Sequence, residues 1–84
     1  MYTRTPKELA LLVMNQRKKL GLSQTDLGMR VGLKQKTISA FENKPENTKL
    51  TTLFQILSAV RIDMHLYTKE ESKKVGKQGW KEEW

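Results

Sequence analysis

Three stop signals, Gly21, Gly32 and Pro45, cut residues 1–60 into segments too short to persist as isolated helices. Each segment nonetheless carries helical signals. Thr5-Pro6-Lys7-Glu8 supplies a capping hydroxyl, a proline suited to the first helical position and a glutamate that can close a capping box. Leu9, Leu12, Val13 and Leu20 then recur at helical spacing as an inward stripe, and Gly21 is placed to end this first helix, at about Leu20, in a left-handed conformation. Ser23 caps a second helix through about Val31, with Leu27 and Val31 turned inward and Gly28 small enough to admit a close neighbour. A third runs from about Gln35 to Asn43 with Ile38 and Phe41 on its buried side, and Pro45 forbids its continuation. After a turn at residues 46–49, Thr48 is expected to cap a fourth helix through about Val60, whose Leu50, Leu53, Phe54, Ile56 and Leu57 make the widest apolar face in the chain. Short helices of this kind are stable only by sharing a core, so residues 1–60 are expected to form one all-α domain of four to five short helices.

Residues 61–68 switch to strict alternation, with Ile62, Met64 and Leu66 on one face and Arg61, Asp63, His65 and Tyr67 on the other. This predicts one C-terminal β-strand. No other segment offers a strand to pair with it, and an unpaired strand leaves its hydrogen-bonding edge exposed. The expected partner is a second copy of the chain, giving a homodimer closed by a two-stranded antiparallel lid with Ile62, Met64 and Leu66 as dimerisation residues. Residues 69–84 are rich in Lys, Glu, Gly and Gln and read as a flexible C-terminal tail carrying Trp80 and Trp84.

The chain has no cysteine and a single histidine, His65, which excludes disulfide scaffolds, zinc fingers and thiol nucleophiles and argues against imidazole chemistry. No nucleophile–base pair, phosphate loop or metal cluster is visible, so no catalytic residue, metal ligand or cofactor is assigned and the chain is not read as an enzyme. No apolar run reaches the ~20 residues of a membrane span, and no secretory signal is apparent, so a cytoplasmic location is expected. The net charge of +7 is uneven: ten of the 16 Lys+Arg but only four of the nine Asp+Glu lie in residues 1–60. The positive field thus belongs to the helical part and points to a polyanion.

Within that part, residues 21–43 spell a helix, a tight glycine turn and a second helix whose outer face is polar or small. Such a pair can lay its second helix in the major groove of double-stranded DNA while the first crosses the backbone. The start of the third helix offers Lys34, Gln35 and Lys36, with Ser39 one turn on: Gln suits the adenine N6/N7 edge and Lys the guanine O6/N7 edge. Thr37 can present a hydroxyl or a methyl group there. Gln24, at the positive end of the second helix, can donate to a phosphate, and Ser23 stands beside it. Lys44, Asn47 and Lys49, in the turn after the third helix, and Asn43 at its end lie where a DNA backbone should pass.

The succession Gly21-Leu22-Ser23-Gln24, then Leu27, Gly32, Thr37-Ile38-Ser39 and Glu42 resembles the helix-turn-helix family of phage-type repressors. That resemblance implies DNA approach by Gln24, Lys34, Gln35, Lys36 and Ser39. It also implies a partly buried ion pair between Arg17 and Glu42, so Arg17 is assigned to structure. The family often carries a larger polar residue at the position of Ala40; either base reading concentrates on Lys34, Gln35 and Lys36, or Ala40 touches a thymine methyl. A closer resemblance lies in residues 32–43, in Asn47-Thr48-Lys49-Leu50-Thr51-Thr52 and in the segment with Met64 and Leu66: together they look like a HipB-type antitoxin. It covers about residues 5–67 plus Trp84. Members of that family dimerise, repress their own operon through palindromic operators, and bind a HipA-like serine/threonine-kinase toxin with a terminal tryptophan in a pocket of it. Trp84 matches that terminal tryptophan, Trp80 lies outside the resemblance, and either of the two is the anchor of the toxin-binding tail. A stand-alone phage-type repressor with no toxin partner is the alternative, and an adaptor without DNA binding a third reading.

Overall fold

The computed structural model describes residues 3–70, in which four α-helices, α1 (Pro6–Lys19), α2 (Gln24–Val31), α3 (Gln35–Asn43) and α4 (Leu50–Ala59), surround one core, with a 3-10 turn, Pro45–Asn47, before α4. The first two helices begin on reciprocal caps. The Thr5 hydroxyl accepts from the Glu8 backbone N–H at 3.1 Å while the Glu8 carboxylate accepts from the Thr5 N–H at 3.1 Å. Ser23 and Asp26 repeat the arrangement at 2.9 and 3.0 Å. Each such cap satisfies orphan N–H groups that water would otherwise have to cover, and is worth ~1 kcal/mol. Gly21 and Gly32 take φ of +73° and +71°, turning the chain so that Leu22 N–H reaches the Arg17 carbonyl and Leu33 N–H the Gly28 carbonyl, at 3.0 and 2.8 Å. Gly28 itself faces the Leu33 carbonyl so closely that a side chain there would collide with backbone, so the turn into α3 is held tight against α2.

The core consists of Ala10, Val13, Leu27, Ile38, Phe41, Ile56, Leu57 and Val60, with Leu9, Leu33, Leu53, Ala59 and Ile62 packed around it. Three expectations need correction. Thr48 does not cap α4: its own N–H closes the 3-10 turn onto the Pro45 carbonyl at 3.0 Å, and the helix starts one residue later from Lys49, with no side-chain cap. The apolar face of α4 is also wider than the core it meets. Ile56, Leu57 and Val60 are buried and Leu53 half-buried, whereas Leu50 and Phe54, one turn apart, are 69% and 54% exposed; Leu20 of the inward stripe is exposed as well, and Ala10 takes a place in the core.

Past α4 the chain turns at Arg61 in a left-handed conformation, φ +60°, with Ile62 N–H donating to the Leu57 carbonyl at 3.0 Å; Gln16 Nε2 reaches across from α1 to the Val60 carbonyl at 3.1 Å. Residues 62–68 then carry neither helix nor strand ladder within the single chain. A ladder needs a second edge, and the described residues supply none to it. Ile62 is half-buried, while Met64 and Leu66 are exposed, Leu66 by 77%. These residues line a groove of about 680 Å³ together with Leu9, Pro45 and Leu53. Trp80 and Trp84 lie outside the described residues.

Candidate nucleic-acid interface

α3 packs through Ile38 and Phe41, which sit three residues apart, so the opposite side of a nine-residue helix must face outward. Lys34, Gln35, Lys36 and Ala40 are exposed there, with Thr37 and Ser39 half-buried at the margin. Lys34 is the N-cap residue and holds extended backbone, φ −79° and ψ 152°; its ammonium group has only hydrogens to donate and makes no capping bond to the N–H groups of the helix end. The Ser39 hydroxyl accepts from Asn43 Nδ2 at 3.2 Å, one turn along the same face. Asn43, Lys44, Asn47 and Lys49 are exposed in and around the 3-10 turn that follows. Exposed lysines on both flanks of a polar helix face form a surface suited to a phosphate-bearing groove.

At the other end, Ser23 is exposed and Gln24 half-buried in the first turn of α2. The Ser23–Asp26 cap lowers the Asp26 pKa below its ordinary value, first through the Ser23 backbone N–H and then its hydroxyl, with the Arg30 charge a smaller contribution. Gln24 reaches in two directions. Its Nε2 donates to Glu42 Oε1 at 2.9 Å, and its Oε1 accepts from Gln35 Nε2 at 2.6 Å. Glu42 is in turn held by Arg17 through two bonds, Nε to Oε2 at 2.7 Å and Nη2 to Oε1 at 3.1 Å, while Arg17 Nη1 donates to the Leu22 carbonyl at 2.8 Å. The ion pair is sealed from water, its side chains only 9% and 4% exposed, and the guanidinium fork is matched to the carboxylate. The Arg17–Glu42 pair expected from the resemblance is thus present. The extension of that pair through Gln24 to Gln35 was not foreseen: it joins positions 17, 24, 35 and 42 from three helices, and the one trace in the sequence is a glutamine in the first turn of both α2 and α3.

Among the described residues, no group of three His, Cys, Asp or Glu is placed to hold a metal ion, and no helix is long and apolar enough to cross a membrane.

The Helix-turn-helix family matches residues 13–66. Antitoxin HipB from two strains of Escherichia coli is 44% identical over 62 residues, 74% of this chain, which spans 66% of the length of one and 70% of the other. Two solved structures, a HipA-HipB-O2-O3 complex and a HipB-O4 20mer complex, each contain a chain that superposes with a TM-score of 0.78 at 39% identity, over 82% of this chain and 97% of that one.

Proposed function

Because the chain belongs to the helix-turn-helix family, and within it to the HipB antitoxins, we propose that it is a sequence-specific transcriptional autorepressor that also binds and neutralises a HipA-like serine/threonine-kinase toxin. The observation that carries this reading is the coincidence of that match with an outward-facing, polar and lysine-flanked start of α3. In this reading α3 enters the major groove, Lys34, Gln35, Lys36, Ser39 and Ala40 meet base edges, and Ser23, Gln24, Thr37, Asn43, Lys44, Asn47 and Lys49 meet the sugar-phosphate backbone. The protein acts by binding rather than by catalysis, without metal or cofactor, in the cytoplasm where its DNA lies.

The working unit is a homodimer on a palindromic operator. Two features support it: the exposed Leu50–Phe54 edge of α4, which a single chain leaves in water, and the exposed Met64 and Leu66 at the end of residues 61–68. Residues 1–60 form the DNA-binding domain, 61–68 the dimerisation strand with Ile62, Met64 and Leu66 inward, and 69–84 the toxin-binding tail with Trp80 or Trp84 as anchor. The test is affinity purification with the protein tagged at its N-terminus, intact or cut after Lys69, followed by identification of bound protein and bound DNA. Retention of a kinase-like protein together with DNA from upstream of the gene is the expected outcome. DNA alone would leave a repressor without a toxin, and neither would overturn the proposal.

A further inference from the structure

We infer that Glu42, whose side chain is sealed from solvent behind Gln24, is a positioning residue for base specificity: it sets which way round the Gln35 amide is presented. The inference rests on the DNA-binding reading above. A carboxylate has no hydrogen to give, so the two Glu42 oxygens can only accept. Arg17 takes Oε2 at 2.7 Å and shares Oε1 at 3.1 Å, which fixes the carboxylate in place, and the remaining room on Oε1 is filled by Gln24 at 2.9 Å. Gln24 must therefore turn its NH2 group toward Glu42 and its carbonyl oxygen the other way. That oxygen needs a donor, and Gln35 Nε2 provides it at 2.6 Å. A reversed Gln35 would set carbonyl against carbonyl and lose the bond. The relay leaves Gln35 with one carbonyl oxygen and one N–H side by side on its outer edge. An acceptor beside a donor complements adenine, which shows an N6 donor beside the N7 acceptor, and mismatches guanine, which shows two acceptors. A freely turning glutamine could offer its NH2 to both guanine acceptors. The buried carboxylate thus converts an ambiguous amide into a directional one without touching DNA.

The test uses the full-length protein as wild type and as Glu42→Gln, Gln24→Leu and Gln35→Ala. Each is equilibrated with a pool of duplexes randomised across one half-site, and the bound fraction is sequenced. The base pair read by Gln35 is the position whose preference disappears in Gln35→Ala. At that position the wild type is expected to favour adenine, and both Glu42→Gln and Gln24→Leu to reduce the preference over guanine by roughly tenfold, with preferences at all other positions retained. Loss of a phosphate contact in Gln24→Leu would lower affinity on every sequence equally and leave the ratio untouched, so ratio and affinity report separate events. Should Glu42→Gln fail to fold, as judged by circular dichroism, the double apolar variant Arg17→Met/Glu42→Leu, which removes the carboxylate together with its partner, is tested in its place. Wild-type discrimination at the Gln35 position in Gln24→Leu, or in a folded Glu42→Gln or the double variant, overturns the inference while the DNA-binding reading stands. A wild-type protein that enriches no sequence, or a Gln35→Ala variant with every preference intact, overturns the reading of Gln35 and the inference with it.

Discussion

Asp26 and Arg17 show how differently two charges can serve one small domain. Asp26 is exposed and its pKa is lowered by the Ser23 cap, so its contribution to stability is complete above the ordinary carboxylate pKa of about 4 and is lost as the pH falls through the lowered value. An Asp26→Asn variant should therefore show a smaller loss of stability than wild type on acidification below about pH 4, measured by thermal unfolding across that range. Arg17 is buried, and its removal would strand the Glu42 carboxylate away from water. Arg17→Ala is expected to cost about 3–5 kcal/mol in urea unfolding, whereas replacing both partners by apolar residues of similar size should cost far less. A third residue acts through its absence of atoms: Gly28→Ala would drive a methyl group into the Leu33 backbone and should destabilise by roughly 1–3 kcal/mol, since backbone cannot swing aside as a flexible side chain would.

Among the elements, α3 carries the sharpest expectation. Lys36→Ala should change the ranking of bound sequences, while Lys44→Ala or Lys49→Ala should weaken binding to all duplexes and reduce the salt dependence by about one phosphate each, as read from affinity against salt concentration. Element boundaries were largely legible in the sequence because their causes are local: the Thr5–Glu8 box, the Ser23 cap, the left-handed glycines at 21 and 32 and the block at Pro45 each act within four residues. The start of α4 was not, because Thr48 answers to the Pro45 carbonyl rather than to the helix after it. The reach of Gln24 to Glu42 and Gln35 was illegible for a different reason. It depends on the crossing of three helices, and nothing in residues 24, 35 and 42 taken singly states that they meet. In the same way the apolar pattern of α4 gave the whole face but not which part of it one chain could cover.

At the scale of the whole molecule, that uncovered part matters most. Leu50 and Phe54 leave a ridge of apolar surface beside a core that, among the described residues, comprises eight buried apolar side chains, a small reserve of stability for a chain with no disulfide. If they pack between two copies, as proposed, Phe54→Lys should shift sedimentation toward monomer and weaken operator binding together, leaving the helical content of the chain in place. The half-sites of an operator recovered by selection should lie about one helical turn, ~34 Å, apart.

The exposed Leu50–Phe54 ridge also has a consequence for how such a repressor keeps time. A reader assembled in pairs answers its own abundance as a square while pairs are scarce: halving the chain concentration quarters the number of assembled readers. Promoter silence would then end abruptly as the protein is degraded or diluted by growth, rather than fading in proportion, and synthesis would restart before the pool was exhausted. If Leu50 and Phe54 pack between two copies, as proposed, two side chains on α4 set the steepness of that feedback loop.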